Sequence, residues 1–396
     1  MTLFGYGKTN AAIAKKFGNC RIYDDKLKQV ETYGTNTLLP MELFDPAASQ
    51  LEVPTPGIAP HHPQVSRARN LIGEYDLFAD TMPFSIWISG TNGKTTTTEM
   101  IGHLLADRGA AIGGNVGTPV AELDEKAPIW VLETSSFTLH YTNKAWPNIY
   151  LLLPITPDHI TWHGSMEAYE AAKLKPLATM REGELVILPA KYRHVPTKGF
   201  AVYYENAADI AAAFGIDLTR LKFEGPFLMD AAMALAVTKS LFDTIDYDRI
   251  NAFVIDPHKI ERVTDKKGRL WIDDSKATNY DATLQAVEAF RDKPLHLILG
   301  GDDKGADLTP LFDVIDKLDV RIYAIGANRD KLMQMAEDRG IDATLCGFLE
   351  VAVAKIDQKL DKDGVGMLSP AAASLDQFSS YKERGEKFKE FIAALS

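Results

Sequence analysis

Residues 84–105 read FSIWISGTNGKTTTTEMIGHLL, and this stretch predicts a strand, a glycine-containing loop and a helix in that order. The apolar run Phe84–Ser89 predicts a buried strand, and a helix is predicted after the loop because apolar residues recur there at helical spacing. The glycines between them let backbone N–H groups close around phosphate oxygens, and the start of a helix attracts anions. Lys94 is placed to reach the β- and γ-phosphates, and a threonine hydroxyl is placed to bind Mg²⁺. The stretch therefore predicts a phosphate-binding loop.

The loop departs from the strict eight-residue phosphate-loop pattern at its first position. That pattern requires a glycine at position 88, and the sequence has Ile88 there. The segment GTNGKTT, residues 90–96, is thus a shortened form of the pattern. A glycine-rich turn that arose by chance is the alternative, although strand, loop, lysine and helix follow one another in the expected order.

The rest of the chain alternates between strand and helix patterns, which favours α/β domains with largely parallel sheets. At roughly 100–200 residues per domain, the 396 residues suffice for several domains. We predict a Rossmann-like N-terminal domain over residues 1–82, a central phosphate-loop ATPase domain over residues 83–256 and a Rossmann-like C-terminal domain over residues 257–396. Because parallel sheets bind ligands beyond the carboxyl ends of their strands, each domain offers a site.

The N-terminal domain opens with a strand that runs into Gly5-Tyr6-Gly7, followed by a helix and a second strand that ends at Asp24. This order is typical of a Rossmann-like unit, in which such an acidic residue can bind a ribose hydroxyl. The dinucleotide-binding pattern needs a third glycine at position 10, where the sequence has Asn10. NAD binding is therefore disfavoured, and a purely structural turn is the alternative.

Polar residues follow apolar strands of the central domain at two places. Glu133 ends the run Ile129–Leu132, and Asp158-His159 comes after another apolar run. A carboxylate at a strand end beside a phosphate loop suits a ligand of Mg²⁺ or a group that orients water. A surface or capping residue is the alternative in each case. Lys173 lies in a helical pattern, and that pattern alone predicts a solvent-exposed lysine.

Polar loops also follow the apolar strands of the C-terminal domain. Residues 271–279 read WIDDSKATN, and so many hydrogen-bonding groups at a strand end indicate a binding loop, with a plain polar turn as the alternative. Residues 369–378 read SPAAASLDQF after another apolar strand. The small residues of this second segment allow either close approach of a ligand or tight helix packing.

The composition is that of a soluble globular protein, with 46% hydrophobic and 24% charged residues. The net charge of −11 opposes binding to nucleic acid or to anionic membranes, because both need a basic face. Cys20 and Cys346 are predicted to be buried apolar residues without a disulfide, which suits a reducing compartment. We find neither a signal-peptide core nor a run of about 18 apolar residues, and therefore expect a cytoplasmic protein without a membrane span.

Taken together, these segments resemble the Mur ligases, the ATP-dependent enzymes that join amino acids to the UDP-muramoyl precursor of peptidoglycan. The resemblance covers essentially the whole chain. The shortened loop over residues 90–95 is shared across this family and with the folylpolyglutamate synthases. By contrast, residues 274–279, 300–304 and 369–378 resemble the members that add D-glutamate to UDP-N-acetylmuramoyl-L-alanine.

The resemblance implies four groups of binding residues. ATP would be bound by Gly90, Thr91, Asn92, Gly93, Lys94, Thr95, Thr96 and Asp274. Mg²⁺, as two ions, would be held by Thr95, Glu133, His159 and Lys173. The UDP-linked substrate would be contacted by Thr9, Asp24, Asp25, Thr55, Pro56, Gly57 and Asn115. D-glutamate would be contacted by Thr278, Lys304, Ser374 and Tyr381.

The resemblance also implies a mechanism in which Lys94, His159 and Lys173 are catalytic. The L-alanyl carboxylate of the substrate would attack the γ-phosphate of ATP, and the amine of D-glutamate would then attack the resulting acyl phosphate. Lys173 matches the lysine that this family carbamylates. A carbamate offers two oxygens to a hard cation, whereas an ammonium group repels Mg²⁺. The chain would act as a monomer on small molecules only.

Several positions depart from the family pattern. The segment Gly225–Ala231 lacks the two asparagines that help to hold adenine, which leaves the adenine contacts open. Lys259 stands where the family has an arginine, and a lysine cannot reproduce the bidentate arginine fork. Tyr381 replaces a common phenylalanine, and Pro154 stands where an asparagine is expected.

Two other functions stay open from the sequence. A folylpolyglutamate synthase-like ligase would share the phosphate loop but is expected to lack residues 274–279 and 369–378. A phosphate-loop NTPase that acts as a switch or a nucleic-acid motor would require no amino acid. The motor would also need a basic surface, which the net charge of −11 opposes.

Overall fold

The computed structural model of the chain describes residues 1–395 and contains three β-sheets. The chain divides into two compact units, of which the first spans Met1–Phe253 and the second begins at Val254. The first unit holds two of the sheets, and the second unit holds the third. This arrangement confirms the predicted α/β fold class, while the domain boundaries after residues 82 and 256 stay predictions.

The first sheet has five strands in the order β3-β4-β2-β1-β5, and its one antiparallel pair is β3–β4. The strands are β1 (Thr2–Phe4), β2 (Arg21–Asp24), β3 (Glu31–Tyr33), β4 (Asn36–Pro40) and β5 (Glu52–Pro54). Helix α1 (Lys8–Phe17) connects β1 to β2 and buries Ala12, Ile13 and Ala14. A short helix, α2 (Glu74–Leu77), leads from this sheet to the next one. The carboxyl ends of β1, β2 and β5 therefore meet at one edge of the sheet.

The second sheet has six parallel strands in the order β11-β10-β9-β6-β8-β7. The strands are β6 (Phe84–Ser89), β7 (Ala110–Gly114), β8 (Ile129–Glu133), β9 (Ile149–Leu152), β10 (Leu185–Pro189) and β11 (Phe200–Tyr204). The helices are α3 (Lys94–Leu104), α4 (Ser136–Tyr141), α5 (Ile160–His163), α6 (Met166–Thr179), α7 (Ala207–Phe214), α8 (Pro226–Phe242) and α9 (Tyr247–Ala252). Since β8 and β9 flank β6 on opposite sides, the loop after β6 lies at the crevice where parallel sheets bind ligands.

The central strands of the second sheet are buried. Trp87 in β6, Trp130 in β8 and Tyr150 in β9 each expose at most 1% of their surface. Strands that are covered on both faces are expected to be apolar throughout instead of alternating, which is why these runs were recognisable in the sequence. The buried strands provide a rigid base for the loops that follow them.

The third sheet has six strands in the order β12-β13-β17-β14-β15-β16, and its one antiparallel pair is β12–β13. The strands are β12 (Glu261–Thr264), β13 (Leu270–Asp273), β14 (Leu295–Gly300), β15 (Val320–Ile325), β16 (Ala343–Gly347) and β17 (Val365–Leu368). The helices are α10 (Tyr280–Glu288), α11 (Thr309–Ile315), α12 (Arg329–Glu337), α13 (Leu349–Asp357) and α14 (Tyr381–Ala394). The loops that follow β13, β14 and β17 are those that the sequence predicts to bind ligands.

Two expectations about the whole chain concern its cysteines and its hydropathy. Cys20 is buried and Cys346 is only partly buried, and both thiols are free. The prediction of burial therefore holds fully for Cys20 alone, because Cys346 lies on the edge strand β16. Among residues 1–395, every helix is too short or too polar to span a lipid bilayer.

Glu74, at the start of α2, gives the first testable prediction. Its carboxylate is buried, and burial raises its pKa from 4.5 to about 7 against the opposing effect of the backbone N–H groups of Val120 and Ala121. Since the folded state binds the proton of Glu74 more tightly than the unfolded state does, protonation of Glu74 stabilises the folded state, and this stabilisation is lost as the pH rises. Up to about 3 kcal/mol of the free energy of unfolding should therefore be lost as the pH rises from about 4.5 through about 7.

The measurement is urea denaturation of the wild type and the Glu74→Gln variant at pH values below and above this window. Glutamine has a similar shape and does not titrate. The wild type should lose stability relative to the variant as the pH rises. A stability difference between the two proteins that does not change with pH would contradict the assignment.

Candidate active site

The loop between β6 and α3 requires glycine at two positions. Gly90 and Gly93 have φ values of 141° and 83°, which side chains rarely adopt. A Cβ atom on Gly90 would lie 2.5 Å from Cβ of Leu153, and one on Gly93 would lie 2.7 Å from Oδ1 of Asp230. The tight path of the loop therefore explains both glycines of the sequence pattern.

Hydrogen bonds hold the loop against the ends of neighbouring strands. The Ser89 hydroxyl donates to the carbonyl oxygen of Thr134, just after β8, at 2.9 Å. The backbone N–H of Thr91 donates to the carbonyl oxygen of Pro154, just after β9, at 3.0 Å. The Thr91 hydroxyl also lies 3.0 Å from the hydroxyl of Tyr169 in α6. The loop is thus fixed on both sides of β6 before any ligand binds.

Lys94 begins α3 and lies over the loop that precedes it. Its Nζ atom donates to the carbonyl oxygens of Gly90 and Thr91 at 3.0 Å and 2.6 Å. Burial lowers the pKa of the Lys94 ammonium group, and the negative charges of Glu133 and Asp158 act in the opposite direction. The predicted phosphate-contacting cation therefore lies within the loop, as its place in the pattern requires.

Glu133 brings two other predicted site residues together at the end of β8. Its Oε2 atom accepts the Thr95 hydroxyl at 2.7 Å, and its Oε1 atom accepts the Asn115 side-chain amide at 2.6 Å. Only 3% of Glu133 is exposed. Asn115, which was assigned to the UDP-linked substrate, consequently lies beside the predicted metal ligands. A carboxylate, a hydroxyl and an amide oxygen are the donor types that hard cations prefer.

Lys173 is buried, with 1% of its surface exposed, so the solvent-exposed lysine predicted from the helical pattern is wrong. Its Nζ atom donates to the carbonyl oxygen of Gly90 at 2.7 Å and lies 3.4 Å from Oγ of Ser89. The ring of Tyr169 lies 4.8 Å from the same Nζ atom. Burial and then the nearby charge of Lys94 hold the pKa of Lys173 well below its ordinary value. Lys94 and Lys173 therefore share one carbonyl oxygen, that of Gly90.

His159 lies just before α5 in a left-handed conformation, with a φ of 54°. Its ring is 4.6 Å from the ring of Phe137 and 6.4 Å from the ring of Tyr169, between centroids. Its Nε2 atom lies 3.4 Å from a carboxylate oxygen of Asp158. Tyr169 thus connects the imidazole of His159 to the phosphate loop, a contact that sequence spacing does not reveal.

All of the predicted UDP-binding residues except Asn115 lie at the carboxyl edge of the first sheet. Asp24 accepts the backbone N–H of Tyr6 through Oδ2 at 2.7 Å. Thr55 packs so closely against the Gly5-Tyr6-Gly7 turn that a Cβ atom on Gly5 would lie 2.5 Å from its Cγ2 atom. Asp25 lies 3.2 Å from His62, and Thr9 is in the first turn of α1. The Gly5-Tyr6-Gly7 turn therefore lies beside the carboxylate of Asp24.

Asn10 explains why the third glycine of the dinucleotide pattern is missing. Its buried side-chain amide donates to the carbonyl oxygens of Phe4, Gly5 and Val53 at 2.8, 3.0 and 3.3 Å. The side chain therefore joins the ends of β1 and β5. The absence of NAD binding stays a prediction.

In the second unit, Asp274 is buried just after β13. Its carboxylate accepts the hydroxyl of Ser369 at 2.6 Å and the backbone N–H of Ile260 at 3.2 Å. Burial raises the pKa of Asp274 to about 7. The carboxylate is therefore held by protein groups at the strand end where the sequence predicts a nucleotide contact.

The residues predicted to contact D-glutamate lie on three loops and at the start of α14, and hydrogen bonds join these segments. Asp302 and Ala373 exchange two backbone hydrogen bonds, which join the loop of Lys304 to the loop of Ser374. The Ser275 hydroxyl donates to the carbonyl oxygen of Tyr381 at 2.8 Å, three residues before Thr278. Hydrogen bonds therefore link the segments that contain the four predicted residues, Thr278, Lys304, Ser374 and Tyr381.

Arg384 in α14 is a structural residue of these loops that the sequence reasoning missed. Its guanidinium group donates to Oγ and the carbonyl oxygen of Ser275 at 2.9 Å and 2.7 Å, and to the carbonyl oxygen of Ala372 at 3.1 Å. Burial lowers the pKa of Arg384 to about 10, which leaves it charged at neutral pH. Helical position alone could not indicate the contacts with Ser275, which lies 109 positions earlier in the chain.

The structure also shows where residues that depart from the family pattern lie. Asp230, inside the segment that lacks the asparagines, is buried in α8 and accepts the hydroxyl of Thr97 in α3 at 2.8 Å. It therefore connects α8 to the helix that follows the phosphate loop. Lys259 is nearly buried, and its Nζ atom lies 3.5 Å from Asp256.

Comparison with known sequences gives matches over the whole chain. The family model of the Mur ligase middle domain matches residues 88–199. The chain is 50% identical over 398 residues to the UDP-N-acetylmuramoylalanine–D-glutamate ligase of Campylobacter jejuni, with 99% of each chain covered. It is 46% identical over 418 residues to the enzyme of the same name from Helicobacter pylori, again with 99% of each covered.

Solved structures share the fold at much lower sequence identity. The MurF ligase from Thermotoga maritima in complex with ADP matches with a TM-score of 0.59 at 17% identity, over 86% of this chain and 88% of that one. The UDP-N-acetylmuramate–alanine ligase MurC of the same organism gives 0.55 at 16% identity, over 98% of both chains. A Mycobacterium tuberculosis folylpolyglutamate synthase gives 0.55 at 14% identity, over 79% of this chain and 93% of that one. These likenesses concern the fold alone.

Proposed function

Because the chain belongs to the Mur ligase family, among the members that add D-glutamate, and is thus a ligase, we propose that it joins D-glutamate to UDP-N-acetylmuramoylalanine at the expense of ATP. The 50% identity to the Campylobacter jejuni D-glutamate ligase over 99% of both chains carries this proposal. The folylpolyglutamate synthase alternative has support from a shared fold at 14% identity only. Cytoplasmic location and the monomeric state stay predictions.

ATP is required because a carboxylate and an amine do not condense in neutral water. In the proposed first step, a carboxylate oxygen of the alanyl group attacks the γ-phosphorus of ATP, and ADP leaves. In the second step, the neutral amine of D-glutamate attacks the acyl phosphate, and inorganic phosphate leaves with the transferred oxygen. Lys94 and the loop N–H groups would offset the phosphate charge of the first step, in the manner of other phosphoryl-transfer sites.

The residues beside the loop fit a bound Mg²⁺ ion. The Thr95 hydroxyl and the Glu133 carboxylate are hard oxygen donors that lie 2.7 Å apart, and His159 lies just before α5. Mg²⁺ held there would supply charge neutralisation for the phosphate groups. Asp274 stays a predicted nucleotide contact, as the family resemblance implies.

Lys173 has the properties of a lysine that reacts with CO₂. Its amine is buried, and burial lowers its pKa and so makes the neutral form easier to reach than in an exposed lysine; only a neutral amine has the lone pair that attacks carbon dioxide. The new N–C bond would leave a carbamate, and the displaced amine proton would pass to solvent. We infer that the carbamate takes part in holding Mg²⁺, since its oxygens suit a hard cation better than an ammonium group does.

Substrate-dependent release of ADP tests the proposed function. Each UDP-muramoyl precursor should be assayed with each candidate amino acid. ADP release should require both UDP-N-acetylmuramoylalanine and D-glutamate, with L-glutamate a much poorer substrate. Equal turnover with a tripeptide precursor and D-alanyl-D-alanine, or with a folate, would contradict the proposal.

Ser374→Ala tests the proposed D-glutamate loops. If the hydroxyl of this residue, which is 3% exposed, contacts D-glutamate, its loss should raise the KM for D-glutamate about fivefold, the equivalent of one hydrogen bond of about 1 kcal/mol. The KM for ATP should not change. Ser379→Ala is the matched control, because the hydroxyl of Ser379 bonds Glu383 at 2.6 Å instead. An increase in the KM for ATP alone would show that the loop is misassigned.

A further inference from the structure

One loop of the first sheet is attached to side chains that the second sheet carries. This substrate loop, residues 55–58, follows β5 and contains three of the residues proposed to contact the UDP-linked substrate. Its own turn is closed by a hydrogen bond from the N–H of Ile58 to the carbonyl oxygen of Thr55 at 3.1 Å. The N–H of Thr55 donates to Phe4 at the end of β1 at 2.7 Å. Both bonds lie within the first sheet and its loops.

Two other carbonyl groups of the loop accept hydrogen bonds from aromatic side chains of α4 and α5, helices that belong with the second sheet. The indole Nε1–H of Trp162 donates to the carbonyl oxygen of Gly57 at 3.1 Å. The hydroxyl of Tyr141 donates to the carbonyl oxygen of Ile58 at 2.7 Å. Since both acceptors are backbone groups, the attachment fixes the path of the loop whatever its side chains are.

These two donors belong to an aromatic cluster that also contains His159. Trp162 lies in α5, the helix that begins directly after His159, and Tyr141 ends α4. The ring of Phe137 lies 4.6 Å from the rings of both Trp162 and His159. A contact of 3.0 Å between Oγ of Ser136 in α4 and Nε2 of His163 in α5 further joins the two helices. The substrate loop therefore rests on the same group of side chains as the imidazole.

We propose that Trp162 and Tyr141 are positioning residues that hold the substrate loop in register with His159, and so place the substrate carboxylate for attack on ATP. This inference rests on the proposed function, because it takes the loop to bind the UDP-linked substrate. Neither side chain touches the reacting atoms. Their effect is to fix the distance between the uridine end of the substrate and the phosphate loop, which is a positioning task.

Outside this loop, other contacts also join the part of the first unit that holds the first sheet to the part that holds the second sheet. Nζ of Lys15 lies 2.7 Å from Glu122, and both groups are exposed or half-exposed. Breaking that ion pair would loosen the general contact between the two parts without touching the substrate loop. Lys15→Ala is therefore a matched control for a role that is only structural.

The test is the double variant Tyr141→Phe/Trp162→Phe, which keeps an aromatic ring at each position and removes both donors. Its Kd for UDP-N-acetylmuramoylalanine should rise about tenfold or more, since each neutral hydrogen bond is worth about fivefold. The KM values for ATP and D-glutamate should stay unchanged, and each single variant should give a smaller rise. Lys15→Ala should leave all three constants unchanged.

A second readout does not depend on catalysis. Amide hydrogen exchange over residues 55–62 should be faster in the double variant than in the wild type and in Lys15→Ala. If the wild type shows no D-glutamate-dependent turnover, the proposed function fails, and the exchange measurement still decides whether the two donors hold the loop. Unchanged exchange together with an unchanged Kd would overturn the inference, as would an equal change of all three constants with a lowered Tm.

Discussion

Lys94→Ala is expected to lower kcat by at least about 10²-fold, the scale for loss of one preorganised electrostatic donor at a site of developing charge. Nζ of Lys94 lies over the loop, within hydrogen-bonding distance of the carbonyl oxygens of Gly90 and Thr91. It is thus placed where the γ-phosphate of a nucleotide in this loop would lie. The fold should survive, because the side chain contributes to a loop and not to the apolar core.

The measurement is kcat for ADP release together with a thermal unfolding curve. Lys191→Ala is a suitable control, since Lys191 is an exposed residue of the same sheet region that pairs with Glu170 at 2.9 Å. That control should retain wild-type turnover. Near-normal turnover of a well-folded Lys94→Ala protein would contradict the identification of the phosphate loop.

Lys173→Ala is expected to be nearly inactive, and a short carboxylic acid in excess should partly restore its activity. The side chain is 1% exposed and ends beside Gly90 of the phosphate loop, so the truncation leaves a small buried space next to the proposed metal ligands. A small carboxylate entering that space would supply the oxygens of the lost carbamate. Lys173→Met fills the same volume and should be equally inactive without being rescued.

The specificity of the rescue provides the control. Lys94→Ala lacks a cation, so a carboxylate should not restore it, although both lysines contact the same Gly90 carbonyl. Incubation of the wild type with ¹³C-bicarbonate should give a carbamate carbon signal that is absent from Lys173→Met. Full activity of Lys173→Ala, or the lack of both the signal and the rescue, would rule out the carbamate while leaving the ligase assignment intact.

The sequence pattern predicts those strands that are marked by a local apolar run. The strands Phe84–Ser89 and Ile129–Glu133 have the predicted bounds, because each is an apolar run that stops at a polar loop. The antiparallel strands β3 and β12 had no such signal. All three residues of β3 are exposed, and β12 has no fully buried residue, so neither is marked by an apolar run.

The site was less predictable because its contacts join distant parts of the chain. Lys173 has the spacing of a surface residue, yet it is buried against a loop that lies 83 residues earlier. Asp230 contacts Thr97 across 133 residues, and Arg384 contacts Ser275 across 109 residues. Helical periodicity reports which face of a helix is apolar but not which loop that face covers. The roles of the D-glutamate residues came from family resemblance and not from such patterns.

The origin of the oxygen in the released phosphate tests whether the alanyl carboxylate attacks the γ-phosphorus of ATP before D-glutamate is joined to it. UDP-N-acetylmuramoylalanine labelled with ¹⁸O in its alanyl carboxylate should be turned over with ATP and D-glutamate, and both products analysed by mass spectrometry. If the carboxylate attacks the γ-phosphorus, the phosphate should carry one labelled oxygen, and the peptide product should contain D-glutamate and one label fewer than the substrate. Phosphate without label, or label transfer that yields no D-glutamate-containing product, would contradict the account.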